Sequence, residues 1–266
     1  MQSCRFFVLA LLLVGSAWFE FGQPLTAKAL MRRAEDAFDR RPARRILMLG
    51  NSRTFFHDMP DMVRAMADSA GDPQKLEITL DAPPGASFEI LWNDAATQKL
   101  LREQWDDVVL QPESRAQGTD ELKRSFQTYG TRLIAASHVT SGTPRLVVNW
   151  NYDAKLFDGD GPDGRGRAAY YADTQANTAA LANRTGAGLI NIGRLWAEVA
   201  ADDPAITLTE DGNHPTLAGS YLFALLLYGD LSGRDISKIS YVPSGLDNRT
   251  ADTLKQLASD YRMVAS

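Results

Sequence analysis

The chain has few of the residues from which several kinds of functional site are built. Cys4 is its only cysteine and precedes an apolar N-terminal run, so the remainder offers no disulfide, thiolate nucleophile or cysteine-ligated metal. Its three histidines (His57, His138 and His214) lack the local spacing of a zinc site. Basic residues are in deficit, with 28 Lys and Arg against 33 Asp and Glu and a net charge of -5. We therefore expect no nucleic-acid partner, no metal and no cofactor.

The N-terminus has the features of an export segment. Arg5 precedes an apolar run over residues 6–18, which is shorter than the roughly 20 residues of a membrane-spanning helix. The run falls within the roughly 7–15 residues of a signal-peptide core, and Gly15 and Ala17 form a small-x-small cleavage pattern. A cleaved signal peptide, an uncleaved membrane anchor and a buried helix are the three interpretations. The first two place the protein outside the cytoplasm, as a periplasmic, secreted or tethered protein. The predicted organisation is a signal peptide or membrane anchor (1–18), a connector (19–44) and one domain (45–266).

Apolar segments that alternate with helical periodicity predict the fold class. RILMLG (45–50) has apolar residues on both parities, which is typical of a strand buried on both faces. Four further segments predict strands: 76–82, 106–111, 144–152 and 187–192. The stretches with helical periodicity are 59–70, 87–104, 121–139, 168–186, 215–231 and 250–264. This order predicts an α/β fold with a parallel sheet of about five strands, covered by helices on both faces.

A glycine-rich stretch, DGDGPDGRGR (158–167), superficially resembles a calcium-binding loop. Pro162 stands where such a loop needs a ligand, and no glutamate follows at the closing position. We therefore interpret the stretch as a mobile loop, since its many glycines make ordering it costly.

Polar residues follow the predicted strands where a parallel sheet binds its ligands, at the carboxyl ends. Ser52 follows the first strand, and the segment Asp211-Gly-Asn-His214-Pro215 precedes the apolar helix over 215–231. A serine hydroxyl is a poor nucleophile until a base takes its proton, and His214 is a candidate for that base. Asp211 can accept the other imidazole N–H and hold the tautomer. The alternatives are a helix-capping serine and a hydrogen-bonded turn.

In chain order, these elements resemble the SGNH (GDSL-like) serine hydrolases over residues 45 to about 230. The resemblance rests on Gly50-Asn51-Ser52 after the first strand, Gly85 after the second and Asp211-x-x-His214-Pro215. It implies a flavodoxin-like, three-layer α/β/α sandwich. It also implies a catalytic triad, with Ser52 as nucleophile, His214 as base and Asp211 orienting the base. The implied oxyanion hole consists of the Ser52 amide, the Gly85 amide and one side-chain amide.

Two positions depart from the family pattern. Asn51 replaces the aspartate usual before the nucleophile, and the usual Gly-x-Asn block after the third strand is absent from VVLQPESR. Gln111 is the best substitute side-chain donor for the oxyanion, the alternative being a buried amide that serves the backbone. Asn51, Trp150 and Asn151 are the predicted substrate-binding residues, with Asn149 beside them.

Three other residues compete for the functional roles. Ser87 lies in a Gly-x-Ser pattern, but its position after a Pro-Pro-Gly turn favours a helix cap. His57 could border the pocket, although a core or surface role is the simpler interpretation. His138 lies near a helix end, where a positive charge suits the helix dipole.

The sequence therefore predicts an exported, metal-independent esterase or deacetylase that works through an acyl-enzyme. Its substrate would be a small-molecule or glycan ester, such as an acylated carbohydrate or a lipid. One alternative is an acyltransferase that uses the same triad to acylate a sugar hydroxyl. The other is a non-catalytic carbohydrate-binding or envelope protein on a decayed hydrolase fold. The oligomeric state stays open.

Overall fold

A computed structural model describes residues 38–153, 156 and 166–265. The chain divides into two compact units, Met1–Pro42 and Ala43–Ser266, and the second contains all the strands described below. The predicted signal peptide or anchor, most of the connector and nearly all of the glycine-rich loop lie outside the described residues. Within the described ranges, no helix has the length and apolar character needed to cross a bilayer.

Five parallel strands form one sheet in the order β2-β1-β3-β4-β5, which confirms the predicted fold class. The strand prediction was too long at β4, which ends at Val147 rather than at residue 152. The strands are β1 (Ala43–Leu49), β2 (Lys75–Asp81), β3 (Asp107–Leu110), β4 (Thr143–Val147) and β5 (Gly188–Ile190).

Nine α-helices occur in the described part of the chain, and the prediction departs from them most in two places. The stretch 87–104 holds two helices, because Asp94 Oδ1 accepts the amides of Ala96 and Thr97 (both 2.9 Å) and starts a second one. A helix over Ile192–Asp202 was missed; it follows β5 at once and is capped by Asn191. The helices are α1 (Ser52–Phe55), α2 (Met59–Ser69), α3 (Phe88–Asn93), α4 (Ala95–Leu100), α5 (Asp120–Val139), α6 (Gly166–Thr185), α7 (Ile192–Asp202), α8 (Leu217–Ser232) and α9 (Asn248–Ala265).

Alternating side chains of the strands face two helical layers. Ile46 and Met48 of β1 belong to the core formed with α2, α7, α8 and α9. Leu47 and Leu49 point the other way, into the core formed with helices α3 to α6. Helix α8 is buried nearly all round, as expected of a helix whose apolar residues cover every face. The result is a three-layer α/β/α sandwich whose strands all end at one edge.

Candidate active site

The turn after β1 positions Ser52. A Cβ at Gly50 would lie 2.3 Å from Thr54 Oγ1 and 2.9 Å from Gln111 Oε1, so only glycine fits there. Asn51 caps α1, accepting the amide of Arg53 (3.2 Å), and leaves Ser52 as the first helical residue. The turn and the helix cap therefore fix the position of Ser52 at the carboxyl edge of the sheet.

Ser52 and His214, 162 positions apart in sequence, meet at this edge: Ser52 Oγ lies 2.8 Å from His214 Nε2. His214 Nδ1 lies 2.6 Å from Asp211 Oδ2. Because a carboxylate only accepts hydrogen bonds, Nδ1 carries the proton, and Nε2 is left to accept from the Ser52 hydroxyl. The structure thus brings together the three residues that the sequence singled out, in the order hydroxyl, imidazole, carboxylate.

Asp211 also organises the backbone of its own loop. Its Oδ1 accepts the amides of Asn213 (2.8 Å) and His214 (2.7 Å), while Gly212, between Asp211 and Asn213, takes a φ of 90°. Desolvation alone would raise the pKa of Asp211, but the hydrogen bonds from His214 and Asn213 outweigh it and lower that pKa to about 2. The carboxylate is therefore ionised at neutral pH, where it can accept the Nδ1 hydrogen of His214.

An aromatic ring covers the imidazole. Phe56 stacks on His214 with the ring centroids 4.4 Å apart and the planes 7° from parallel. The next two residues, His57 (φ 52°) and Asp58 (φ 53°), both adopt left-handed backbone, which is costly outside glycine. Ser220 Oγ holds the Phe56 carbonyl (3.0 Å), so helix α8 supports the strained turn. His57 belongs to this turn and is not among the residues that line the cleft.

Ser52 and His214 open into a cleft of about 640 Å³, which is within the usual range for small-molecule sites. Gly85 lines it with a φ of 70°, and among the described residues its amide has no hydrogen-bond partner. Burial raises the pKa of Glu113 in the cleft wall. The lining residues are Asn51, Ser52, Arg53, Phe55, Phe56, Pro84, Gly85, Glu113, Ser114, Arg115, Tyr152, Asn213 and His214.

Gln111 does not point into this cleft, contrary to the prediction that it is an oxyanion donor. Its amide nitrogen donates to the Pro112 carbonyl and to Asn149 Oδ1 (2.9 Å). Its oxygen accepts from the Asn51 amide (3.1 Å) and from Thr54 Oγ1 (2.9 Å). Every polar atom of this buried side chain is thus used within the protein, and Gln111 joins the loops that follow β1, β3 and β4.

The predicted substrate-binding residues are placed differently from one another. Asn51 lines the cleft, but its Nδ2 donates to the carbonyls of Ala86 (3.2 Å) and Pro112 (3.3 Å), so it ties loops together. Trp150 is buried behind the cleft, where it stacks on Trp196 with centroids 4.2 Å apart. Asn151 donates to the Arg167 carbonyl (3.0 Å) and lies outside the cleft lining. The prediction that Trp150 and Asn151 bind substrate is therefore wrong, since both contact other parts of the protein and neither lines the cleft.

Arg53 is a cleft residue that the sequence analysis missed. It is 1% exposed, and its guanidinium lies over the rings of Trp150 (4.5 Å) and Tyr152 (5.0 Å). Its N–H groups donate to Asn213 Oδ1 (from Nε at 3.0 Å and Nη2 at 2.7 Å) and to the Trp150 carbonyl (2.8 Å). Desolvation lowers the pKa of Arg53 to about 10, so it stays cationic at neutral pH. Its position directly after Ser52 was the available signal.

The competing residues have other partners. Ser87 caps α3 by accepting the Ile90 amide (3.3 Å). His57 Nε2 lies 3.2 Å from Glu210 Oε2, and His138 Nε2 lies 3.1 Å from the Thr185 carbonyl. No cluster of metal-ligating side chains occurs among residues 38–153, 156 and 166–265.

Comparison with known proteins finds similarity in structure. No protein-family model matches the chain, and no curated protein sequence is significantly similar to it. A candidate SGNH hydrolase from Slackia heliotrinireducens is 28% identical, with a TM-score of 0.61 over 71% of this chain and 100% of that one. A DUF4886 family protein from Bacteroides uniformis is 16% identical, with a TM-score of 0.68 over 84% and 96% of the two chains. An acetyl xylan esterase from Geobacillus stearothermophilus is 15% identical, with a TM-score of 0.56 over 76% and 97%.

Proposed function

The chain has an SGNH-like hydrolase fold, and we propose that it is a serine esterase or deacetylase. Ser52 is the nucleophile, His214 the general base and Asp211 the residue that orients the base. The observation that carries this proposal is the unbroken contact from Ser52 Oγ to His214 Nε2 (2.8 Å) and from His214 Nδ1 to Asp211 Oδ2 (2.6 Å).

In the proposed acylation step, Ser52 Oγ attacks the ester carbonyl carbon while His214 Nε2 takes the hydroxyl proton. The carbonyl π pair moves to oxygen, and the amides of Ser52 and Gly85 face that developing negative charge. When the intermediate collapses, the bond to the alcohol oxygen breaks and Nε2 returns the proton to the leaving alcohol. Asp211 stabilises the imidazolium between the two transfers.

Deacylation repeats these steps with water as the attacking nucleophile. Nε2 takes a proton from water as its oxygen attacks the acyl-enzyme, and Ser52 Oγ leaves with that proton. Gln111 has no part in the hole, so this proposal rests on two backbone donors. One missing side-chain donor costs roughly 100–1,000-fold in rate, which weakens the hole without abolishing it.

For the substrate we propose an acylated carbohydrate or a lipid ester outside the cytoplasm. The acetyl xylan esterase among the structural neighbours supports the first class, and the composition of residues 6–18 supports export. Assaying acetylated xylo-oligosaccharides beside short-chain lipid esters separates the two classes. N-terminal sequencing of the exported protein tests cleavage after Ala17.

The activity is tested with a fluorophosphonate probe, which reacts only with an activated serine. We expect the wild type to label and to hydrolyse p-nitrophenyl acetate. Ser52→Ala should lose the label and at least about 10⁴-fold in kcat, because the covalent route is removed. Product analysis with sugar acceptors shows whether the acyl group goes to water or to a hydroxyl.

Ser87→Ala is the matched control, because Ser87 caps a helix away from the cleft lining. It should keep the label and the activity while losing about 1 kcal/mol of stability. A wild type that folds but neither labels nor hydrolyses esters would support the non-catalytic alternative and end the esterase proposal.

A further inference from the structure

The amide of Asn213 has its orientation set by its neighbours. Its Oδ1 accepts from Arg53 Nε (3.0 Å) and Nη2 (2.7 Å), and a guanidinium only donates hydrogen bonds. The reversed amide would place its N–H groups against those of Arg53. Asn213 Nδ2 must therefore point away from Arg53, toward the reacting groups.

Arg53 and Trp150 fix this orientation from below. Arg53 is itself held by the Trp150 carbonyl (2.8 Å) and lies over the Trp150 ring, while Trp150 Nε1 donates to the Asn213 carbonyl (3.0 Å). The side chain and the backbone of Asn213 are thus both tied to one buried cluster. A donor pre-oriented in this way needs little reorganisation when it acts.

The free end of the amide lies beside the base. Asn213 Nδ2 is 3.5 Å from His214 Nε2, at the outer limit of a hydrogen bond, and Asn213 lines the same cleft as Ser52. An oxygen atom that reaches Nε2 from the cleft therefore arrives next to an N–H donor. Besides Ser52 Oγ, two oxygens meet Nε2 in the proposed reaction: the departing alcohol and the attacking water.

On the basis of the proposed function, we propose that Asn213 Nδ2 binds the oxygen that exchanges a proton with His214, with Arg53 as its positioning residue. In deacylation, the water gives one proton to Nε2 and one lone pair to the acyl carbon, and its second lone pair accepts the Nδ2 hydrogen. Ser52 Oγ then leaves with the proton from Nε2, so atoms and charges balance. Asn213 thereby orients the attacking oxygen.

Asn213→Asp is the sharpest test, because it is nearly isosteric and keeps Oδ1 for Arg53 while replacing the donor by an acceptor. With p-nitrophenyl acetate, the burst reports acylation and the steady rate reports deacylation. The nitrophenolate leaving group needs no proton, so acylation should change less than about threefold. We expect deacylation to fall about 10–100-fold. This is less than the roughly 100–10,000-fold typical of a group that transfers the proton, because Asn213 orients the oxygen without taking its proton.

The new carboxylate would also act on His214 electrostatically, and the pH profile separates that effect. If the charge alone slowed the variant, its rate would return to the wild-type value on the alkaline plateau. A missing donor leaves the deficit at every pH. Asn213→Ala, which lacks both the donor and the new charge, should show the same selective loss and serves if the aspartate variant fails to fold.

Equal losses in burst rate, deacylation and fluorophosphonate labelling would mean that Asn213 is only structural, and unchanged deacylation would likewise overturn the inference. Both outcomes leave the esterase proposal intact. A wild type that does not label overturns both proposals together. Arg53→Lys, which keeps the charge but loses the paired N–H groups, should share the deacylation deficit.

Discussion

Replacing Asp211 by Asn tests the contact between the carboxylate and the imidazole with little other change. Asp211 uses separate oxygens for its two tasks: Oδ1 accepts the amides of Asn213 and His214, and Oδ2 accepts from His214 Nδ1. An asparagine keeps an oxygen for the two amides and turns its NH₂ group toward Nδ1. The imidazole then has to carry its proton on Nε2, where it can no longer accept from Ser52.

The size of the effect follows from exposure. In a buried serine-protease triad the same change costs about 10⁴-fold in kcat. The Asp211 side chain here is 54% exposed and that of His214 is 24% exposed, so water can partly replace the carboxylate. We therefore expect kcat to fall about 100–1,000-fold, or about 2.7–4.1 kcal/mol.

The assay compares kcat for a short acyl ester with the thermal midpoint of the same preparation. The midpoint should fall by less than about 4 °C, because the loop's backbone hydrogen bonds survive. Asp211→Ala, which loses those bonds as well, should lose clearly more stability. A kcat loss of less than about tenfold for Asp211→Asn, in a protein of normal stability, would refute the role given to this carboxylate.

Three further changes are predicted. Gln111→Leu should lower stability by about 3–5 kcal/mol, measured by urea unfolding, because it leaves several buried groups unpaired; a large kcat loss without destabilisation would return Gln111 to the oxyanion hole. Phe56→Leu should lower kcat about 2–10-fold while Phe56→Tyr keeps it, since an aromatic stack is worth about 0.5–1.5 kcal/mol. A kcat of Phe56→Leu equal to that of the wild type would show that the stacked ring has no role in catalysis. The folded pKa of Asp211 is depressed from 3.8 to about 2, so its stabilisation is present above pH 3.8 and lost as the pH falls toward 2. Above pH 3.8 the free energies of unfolding of wild type and Asp211→Asn should therefore differ by under about 1 kcal/mol after solvent screening, and they should converge near pH 2. A difference in unfolding free energy that persists at pH 2 contradicts the assignment.

The fold could be predicted because its information is local. Strands buried on both faces carry apolar residues on both parities, as in β1, and helix α8 is apolar on every side. The predicted boundaries were wrong where a single capping residue decides where a helix begins. Asp94 starts a new helix inside a continuous helical pattern, and Asn191 caps α7 where the strand prediction still extended.

The site was predictable only in part, because the orientation of its side chains depends on distant residues. Ser52 could be placed from sequence, since it follows a strand at the carboxyl edge of a parallel sheet. Its pairing with His214 rested on the Asp211-x-x-His214-Pro215 pattern and on the resemblance to the SGNH hydrolases. The amide of Gln111 is turned inward by Asn149 and Thr54, which no local pattern reveals. Trp150 was expected in the pocket because it follows the fourth strand, but it is buried against Trp196 of the helix that was missed.

The paired indoles of Trp150 and Trp196 have a practical consequence. Their rings lie 4.2 Å apart and 5° from parallel, and Trp150 also touches the guanidinium beneath the cleft. Because the emission of an indole responds to nearby charge, any ligand that shifts Arg53 will alter the intrinsic fluorescence of this pair. We therefore expect a ligand titration followed by intrinsic fluorescence to report binding in the cleft before a turnover substrate has been found.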